Sequence, residues 1–156
     1  MTKRFRFRLE AVERVRKAKE QETLRALALA QAKYQDALNA KRKILEDNDR
    51  ALARREALAG VPQPVLAYQM ENEFIAGNRV RIVQSDQAIF RARKFVEKAL
   101  REVIAAKRAL RAIEVLREKA YEEFKTALRK REQKQLEEVY ATRSTTTEEF
   151  EWSETA

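Results

Sequence analysis

Two groups of basic side chains are the residues of this chain whose type and spacing can do chemistry. Lys3, Arg4, Arg6 and Arg8 open the sequence with no acid among them, and Arg129, Lys130, Arg131 and Lys134 crowd together near the other end. Guanidinium and ammonium groups at this density hold carboxylates and phosphates through charge-assisted hydrogen bonds, so the chemistry on offer is capture of an acidic partner. The N-terminal group is the sharper signal, because the positive end of a helix macrodipole ordinarily attracts acids. The C-terminal group also has a purely structural explanation, cations complementing the dipole near a helix end. Tools of catalysis are scarce. With neither Cys nor His, the chain has no thiolate, no imidazole acid–base pair and no common zinc or copper ligand. Adjacent acids such as Glu122 and Glu123 read as helix surface, and no Gly-rich phosphate loop is present. The chain reads as a non-enzyme with no cofactor, no metal and no small-molecule substrate.

The composition bounds the elements that position these groups. Of 156 residues, 38% are charged, 34 of them basic against 25 acidic, and only 2 Gly and 2 Pro are available for turns. Such a chain lacks the turn formers of a layered globule and is expected to be nearly all helix. Its net charge of +9 is spread through mixed sequence, which describes a solvated helical rod first and an acidic partner second. Nucleic acid is not favoured, since acids interrupt most basic stretches and no zinc finger, stacking platform or basic zipper is visible. Phe5 and Phe7 between arginines make only a weak lipid anchor. No apolar run reaches a signal peptide or the roughly 18 residues of a membrane span, so the reading is cytoplasmic.

The strongest periodicity lies in the second half. Tyr68, Ile75, Ile82, Ile89, Val96, Val103 and Leu110 stand at every seventh position, and Asn78, Ser85, Ala92, Ala99, Ala106 and Ile113 follow three residues after successive rungs. Sustained heptads of this kind specify a left-handed coiled coil, with small d residues permitting close approach. Gly60-Val61-Pro62-Gln63-Pro64 is the one strong break. It divides the chain into a first helix over about 4–59, a turn at 60–64 and a second helix over about 65–141. So short a connection makes the helices antiparallel neighbours. The expected fold is therefore all-α, a long two-helix antiparallel coiled-coil hairpin forming one domain over 1–141.

The first helix carries a poorer stripe through Phe5, Leu9, Val12, Leu24, Leu27, Ala30, Tyr34, Leu38, Ile44, Leu45, Leu52 and Leu58, interrupted by Arg16, Lys19, Lys41 and Asn48. Gly77 weakens the second helix by about 1 kcal/mol relative to Ala. Acid-before-base pairs, Glu10 with Arg14, Glu13 with Lys17, Glu46 with Arg50 and Glu97 with Arg101, add about 0.2–0.5 kcal/mol each. Folding about Pro62 sets Leu9 near Val115 and Phe5 near Lys119, so the second helix overhangs beyond about Tyr121. Tyr121, Phe124, Leu128 and Leu136 on this overhang are expected to face a partner or a second copy. The same folding gathers both basic groups at one tip. Residues 142–156, with one base and four acids, read as a disordered acidic tail in which Phe150 and Trp152 form at most a short docking motif.

At the two ends the residues resemble a known family. Phe5-Arg6-Phe7-Arg8-Leu9-Glu10, followed by Val12 and Arg14, is similar to the Phe-basic-Phe-basic-Leu opening of FliJ proteins. Leu116-Arg117-Glu118-Lys119 and Arg131-Glu132-Gln133-Lys134-Gln135-Leu136-Glu137-Glu138 resemble the family's closing helix, with Glu137 where an Asp is usual. The likeness covers the hairpin, and the acidic tail lies outside it. It implies a non-enzymatic stalk or adaptor of the flagellar type III protein export apparatus at the cytoplasmic face of the inner membrane. It further implies contact with the export ATPase hexamer, the cytoplasmic domain of the export gate, and export chaperones. On that resemblance Arg4, Arg6, Arg8, Arg129, Lys130, Arg131 and Lys134 face the ATPase ring. Tyr68, Gln69, Phe74 and Ile75, near the loop, meet the gate; Tyr68 and Ile75 are also ladder positions and serve equally as seam. The alternative is a structural coiled-coil scaffold that self-associates. Injectisome stalk proteins are analogous, so the residues alone do not fix the secretion system.

Overall fold

Heptad spacing on either side of one glycine–proline break yields two helices, α1 (Glu10–Leu58) and α2 (Val65–Glu154), packed against each other as an all-α helical hairpin. This computed structural model describes residues 4–60, 62 and 65–154, with side chains through residue 144. No strand occurs among the described residues. Of the turn expected at 60–64, only Gly60 and Pro62 fall within the description.

Both helix boundaries differ from expectation, each for a local reason. Residues 4–7 are not helical, and α1 begins at Glu10 rather than near residue 4. Arg4, Arg6 and Arg8 are exposed while Phe5, Phe7 and Leu9 are half-buried, the alternation of an extended segment. The chain enters α1 through bonds from the Glu10 N–H to the Phe7 carbonyl (3.3 Å) and from the Glu13 N–H to the Leu9 carbonyl (3.0 Å). The first turn then carries Glu10 and Glu13, the charges its dipole favours. At the other end α2 continues through Glu154, past the boundary expected at 141. Residues 142–154 contain neither Gly nor Pro, so nothing in that stretch stops a helix already under way. Phe150 and Trp152, named as a docking motif, lie outside the described side chains.

The chain divides into two compact units, Lys17–Arg108 and Met1–Arg16 with Ala109–Ala156. In Lys17–Arg108 the α2 ladder supplies most of the core. Ile75 and Val103 are each 4% exposed, Ala99 is also buried, and Ile82, Ile89 and Val96 are half-buried. Tyr68, the first rung, is 42% exposed and stands outside this core.

The facing seam of α1 is a second strict heptad. Thr23, Leu27, Ala30, Tyr34, Ala37, Lys41, Ile44, Asn48, Ala51, Arg55 and Leu58 alternate in steps of four and three, and all are buried or half-buried. Four of those eleven positions, Thr23, Lys41, Asn48 and Arg55, are polar, so an apolar count chooses a partly different stripe; Leu45, which belongs to that stripe, is 41% exposed. Two of the polar rungs are matched across the seam. Lys41 Nζ reaches Asp86 Oδ1 at 2.5 Å, and Arg55 Nη1 donates to Asn72 Oδ1 at 3.1 Å. That register brings Asn48 level with Asn78, the one large side chain under 2% exposed among the described residues. Asn48 Oδ1 and Asn78 Nδ2 are buried without a hydrogen-bond partner among the described residues.

In the other unit Leu110 and Ile113 continue the same a and d positions and are buried. The next a position is Arg117 and the one after it Phe124, so the ladder changes chemistry without losing phase. Phe5 covers this end, its ring 5.2 Å from Tyr121 edge-on and 5.5 Å from Phe124. Phe5 thus meets α2 slightly beyond Lys119, the neighbour expected from a fold about Pro62.

Candidate partner-binding surface

Alternation along residues 4–8 half-buries the phenylalanines, Phe5 against α2, and leaves the arginines in water. Phe5, wedged on Tyr121 and Phe124, fixes the segment, and Arg4, Arg6 and Arg8 project from it exposed. On α2, Arg129, Lys130, Arg131 and Lys134 are exposed as well. They follow Phe124 by five to ten residues, a rise of about 7–15 Å along the helix. Both basic groups therefore belong to the same compact unit, with only Glu132 as an acid among the four C-terminal cations.

Two polar ties hold the unit in register beneath that charge. Arg117 Nη1 donates to Glu13 Oε2 at 2.6 Å, and the Glu13 side chain is only 6% exposed. Arg16 Nη1 donates to the Ala109 carbonyl at 2.5 Å. Glu13 and Arg16 stand at the a and d positions of α1, where hydrophobic residues would be usual, so charge pairing replaces apolar contact at this end of the seam.

The overhang expected from Tyr121 onward begins later. Phe124 is half-buried under Phe5, Tyr121 is 45% exposed with Lys125 Nζ 5.1 Å from its ring centroid, and Leu128 is half-buried. From residue 129 through 144 every described side chain is exposed, Leu136, Val139 and Tyr140 included. Of the partner-facing residues named from sequence, Leu136 is thus exposed, while Phe124 is partly covered within the chain.

Tyr68, Gln69 and Phe74 are exposed in the Lys17–Arg108 unit, whereas Ile75 is buried in the seam and offers a partner little surface. Phe74 lies under the Arg54 guanidinium, 5.9 Å from its ring centroid. Arg54 is itself tied to Glu71 by Nε–Oε1 and Nη2–Oε2 bonds of 2.8 and 3.3 Å. The hydrogen bond to Glu71 raises the Arg54 pKa above its ordinary value; desolvation opposes the rise, and the charges of Glu71 and Asp47 add to it. Arg111 is raised in the same way, first by its hydrogen bond to Glu118.

Several interactions carry no clear sequence signal. Arg50 meets Asp47 and Glu97 takes Arg93 and Lys94, pairings other than the Glu46–Arg50 and Glu97–Arg101 expected from helix spacing; Glu10–Arg14 is present at 3.9 Å. The cross-seam partners of Glu13, Lys41 and Arg54 become legible only once the polar heptad of α1 is recognised. Among the described residues no group of His, Cys, Asp or Glu is arranged to hold a metal, and no helix is long and apolar enough to cross a membrane.

In a comparison with known families, the family model described as Flagellar FliJ protein matches residues 5–148. No curated protein and no solved structure matches the chain. The matched span takes in Arg6, Arg8 and the cations at 129–134, all of α1, α2 through residue 148 and the connection between them, and since it covers well over half of the sequence, the chain belongs to the flagellar FliJ protein family.

Proposed function

We propose that this protein is a non-enzymatic stalk or adaptor that couples the export ATPase ring to the membrane export gate and escorts export chaperones. The family carries a flagellar export-related role, and the proposal assigns a mechanism within it. The observation that supports it best is the shared placement of Arg4, Arg6, Arg8, Arg129, Lys130, Arg131 and Lys134 in one unit whose helix has every described side chain from residue 129 to 144 exposed. Clustered exposed cations steer an acidic partner and fix its orientation more than they add raw affinity. Tight binding then needs a few desolvated anchors, for which Tyr121, Leu136 and Tyr140 are available. Tyr68, Gln69 and Phe74 are the proposed gate contact, an exposed aromatic pair near the connection.

A pull-down of the purified export ATPase with the full chain tests the reading. Retention at low salt that weakens as salt rises supports it. Failure to retain the ATPase at any ionic strength, together with a tight concentration-independent homo-oligomer in sedimentation, would instead favour a self-associating scaffold.

A further inference from the structure

In the Lys17–Arg108 unit the two helices do not close completely. Small residues at and beside the seam, among them Ala30, Ala92 and Ala99, leave an open groove of about 590 Å³. Leu29 and Phe95 stand along it, 59% and 66% exposed. A leucine and a phenylalanine held in water beside an alanine-lined floor form a contiguous apolar surface of the kind that marks an interaction site. The rim has a definite sign: Lys33, Arg91 and Lys98 border the groove against the single acid Glu102. Neither Lys33 nor Lys98 has an ion-pair partner among the described residues.

We propose that this groove docks an amphipathic α-helix of a partner protein, its apolar stripe flanked by Asp or Glu. Shape argues for a helix, because a shallow channel between two parallel-running helical ridges accepts a third ridge, with anchors at i, i+3, i+4 and i+7. Charge argues for the acidic flank, which meets Lys33, Arg91 and Lys98 on both sides of the apolar floor. A second copy of this chain is the poorer occupant. A twofold contact would set each groove against itself and bring those cations onto their own copies, a juxtaposition that discriminates against self-pairing. The site is separate from the basic groups of residues 4–8 and 129–134 and does not depend on what they bind.

Photo-crosslinking from the full chain in cells assembling flagella tests the proposal, with a benzophenone-bearing residue replacing Phe95, a control replacing the exposed Val83, and the crosslinked segment sequenced. The expected product joins Phe95 to a partner segment whose apolar residues recur at three and four and are flanked by acids. Its yield should fall at least tenfold in a Lys33→Glu, Lys98→Glu background that retains full helicity by circular dichroism. A product with a second copy, a segment without acidic flanks, a yield no higher than from Val83, or a yield indifferent to the charge reversal would each overturn the proposal.

Discussion

Glu13 and Arg117 meet at 2.6 Å across the seam, an acid 6% exposed at an a position of α1 against a base that takes the rung after Leu110 on α2. The pair lies where the apolar ladder ends, so it sets the local register where hydrophobic contact no longer can. Removing Arg117 takes this donor away from a buried carboxylate.

Arg117→Ala should therefore destabilise the hairpin by about 1–3 kcal/mol, the cost of taking one charge-assisted hydrogen bond from a mostly buried acceptor. Replacing both partners with leucine should recover most of that loss, since an apolar pair of similar volume needs no desolvation. Thermal unfolding of the two single variants and the double variant measures the coupling. Additive losses would show that the contact contributes nothing specific.

Gly77 is exposed in the interior of α2, and a Cβ built there meets nothing within 4 Å. Gly77→Ala should then stabilise the protein by about 0.5–1 kcal/mol through backbone entropy alone. Urea denaturation reads this as a higher midpoint with an unchanged slope. A lower midpoint would mean that the bare backbone at 77 is used for close approach by something else.

Asn48 and Asn78 place an unpaired amide oxygen and an unpaired amide nitrogen in the same buried region. A buried polar layer fixes coiled-coil register at a cost in stability. Asn48→Leu with Asn78→Leu should raise the melting temperature and loosen the alignment. Because the chain has no Cys, introduced cysteines report alignment cleanly: Lys41→Cys with Asp86→Cys should crosslink almost exclusively in the native background. In the double-leucine background it should compete with Lys41→Cys paired to Ile89→Cys. Unaltered selectivity would remove the register role from the asparagines.

Phe5 is the only described aromatic that joins residues 4–9 to α2 through ring contacts, with Tyr121 and Phe124. Phe5→Ala should cost about 2–4 kcal/mol if the site cannot collapse, and should release the arginine segment before the helices melt. Hydrogen exchange at the amides of residues 8–13 should accelerate selectively. Uniform acceleration along α1 would contradict a local anchoring role.

The α2 half of the fold was legible because its a positions are Ile, Val and Leu at unbroken sevenths, a pattern only a coiled-coil seam requires. The α1 half was not, because its rungs include Asn48 and also Glu13, Lys41 and Arg55, whose partners lie on α2 and carry no hydrophobic signal. Val12 and Leu45 attracted attention for being apolar and are more than a third exposed. The start of α1 was misplaced since alternating Arg and Phe at 4–8 satisfy an extended segment anchored on another helix, information that is absent locally. Basic residues at both ends were visible at once, and the structure adds that one compact unit contains them. Ala92 and Ala99, small d residues of the ladder, line the groove beside Phe95 together with Ala88, and that groove is legible only with the residues α1 presents opposite them.

The most direct test of the coupling account is stimulation of a purified flagellar export ATPase by the full chain, compared with an Arg4→Glu, Arg6→Glu, Arg8→Glu variant of equal helicity. The account predicts that the unaltered chain accelerates ATP hydrolysis, that the effect fades between about 50 and 200 mM salt as screening sets in, and that the triple reversal abolishes it. Equal stimulation by the variant, or none by the unaltered chain at low salt, would contradict the claim that this basic surface engages the ATPase.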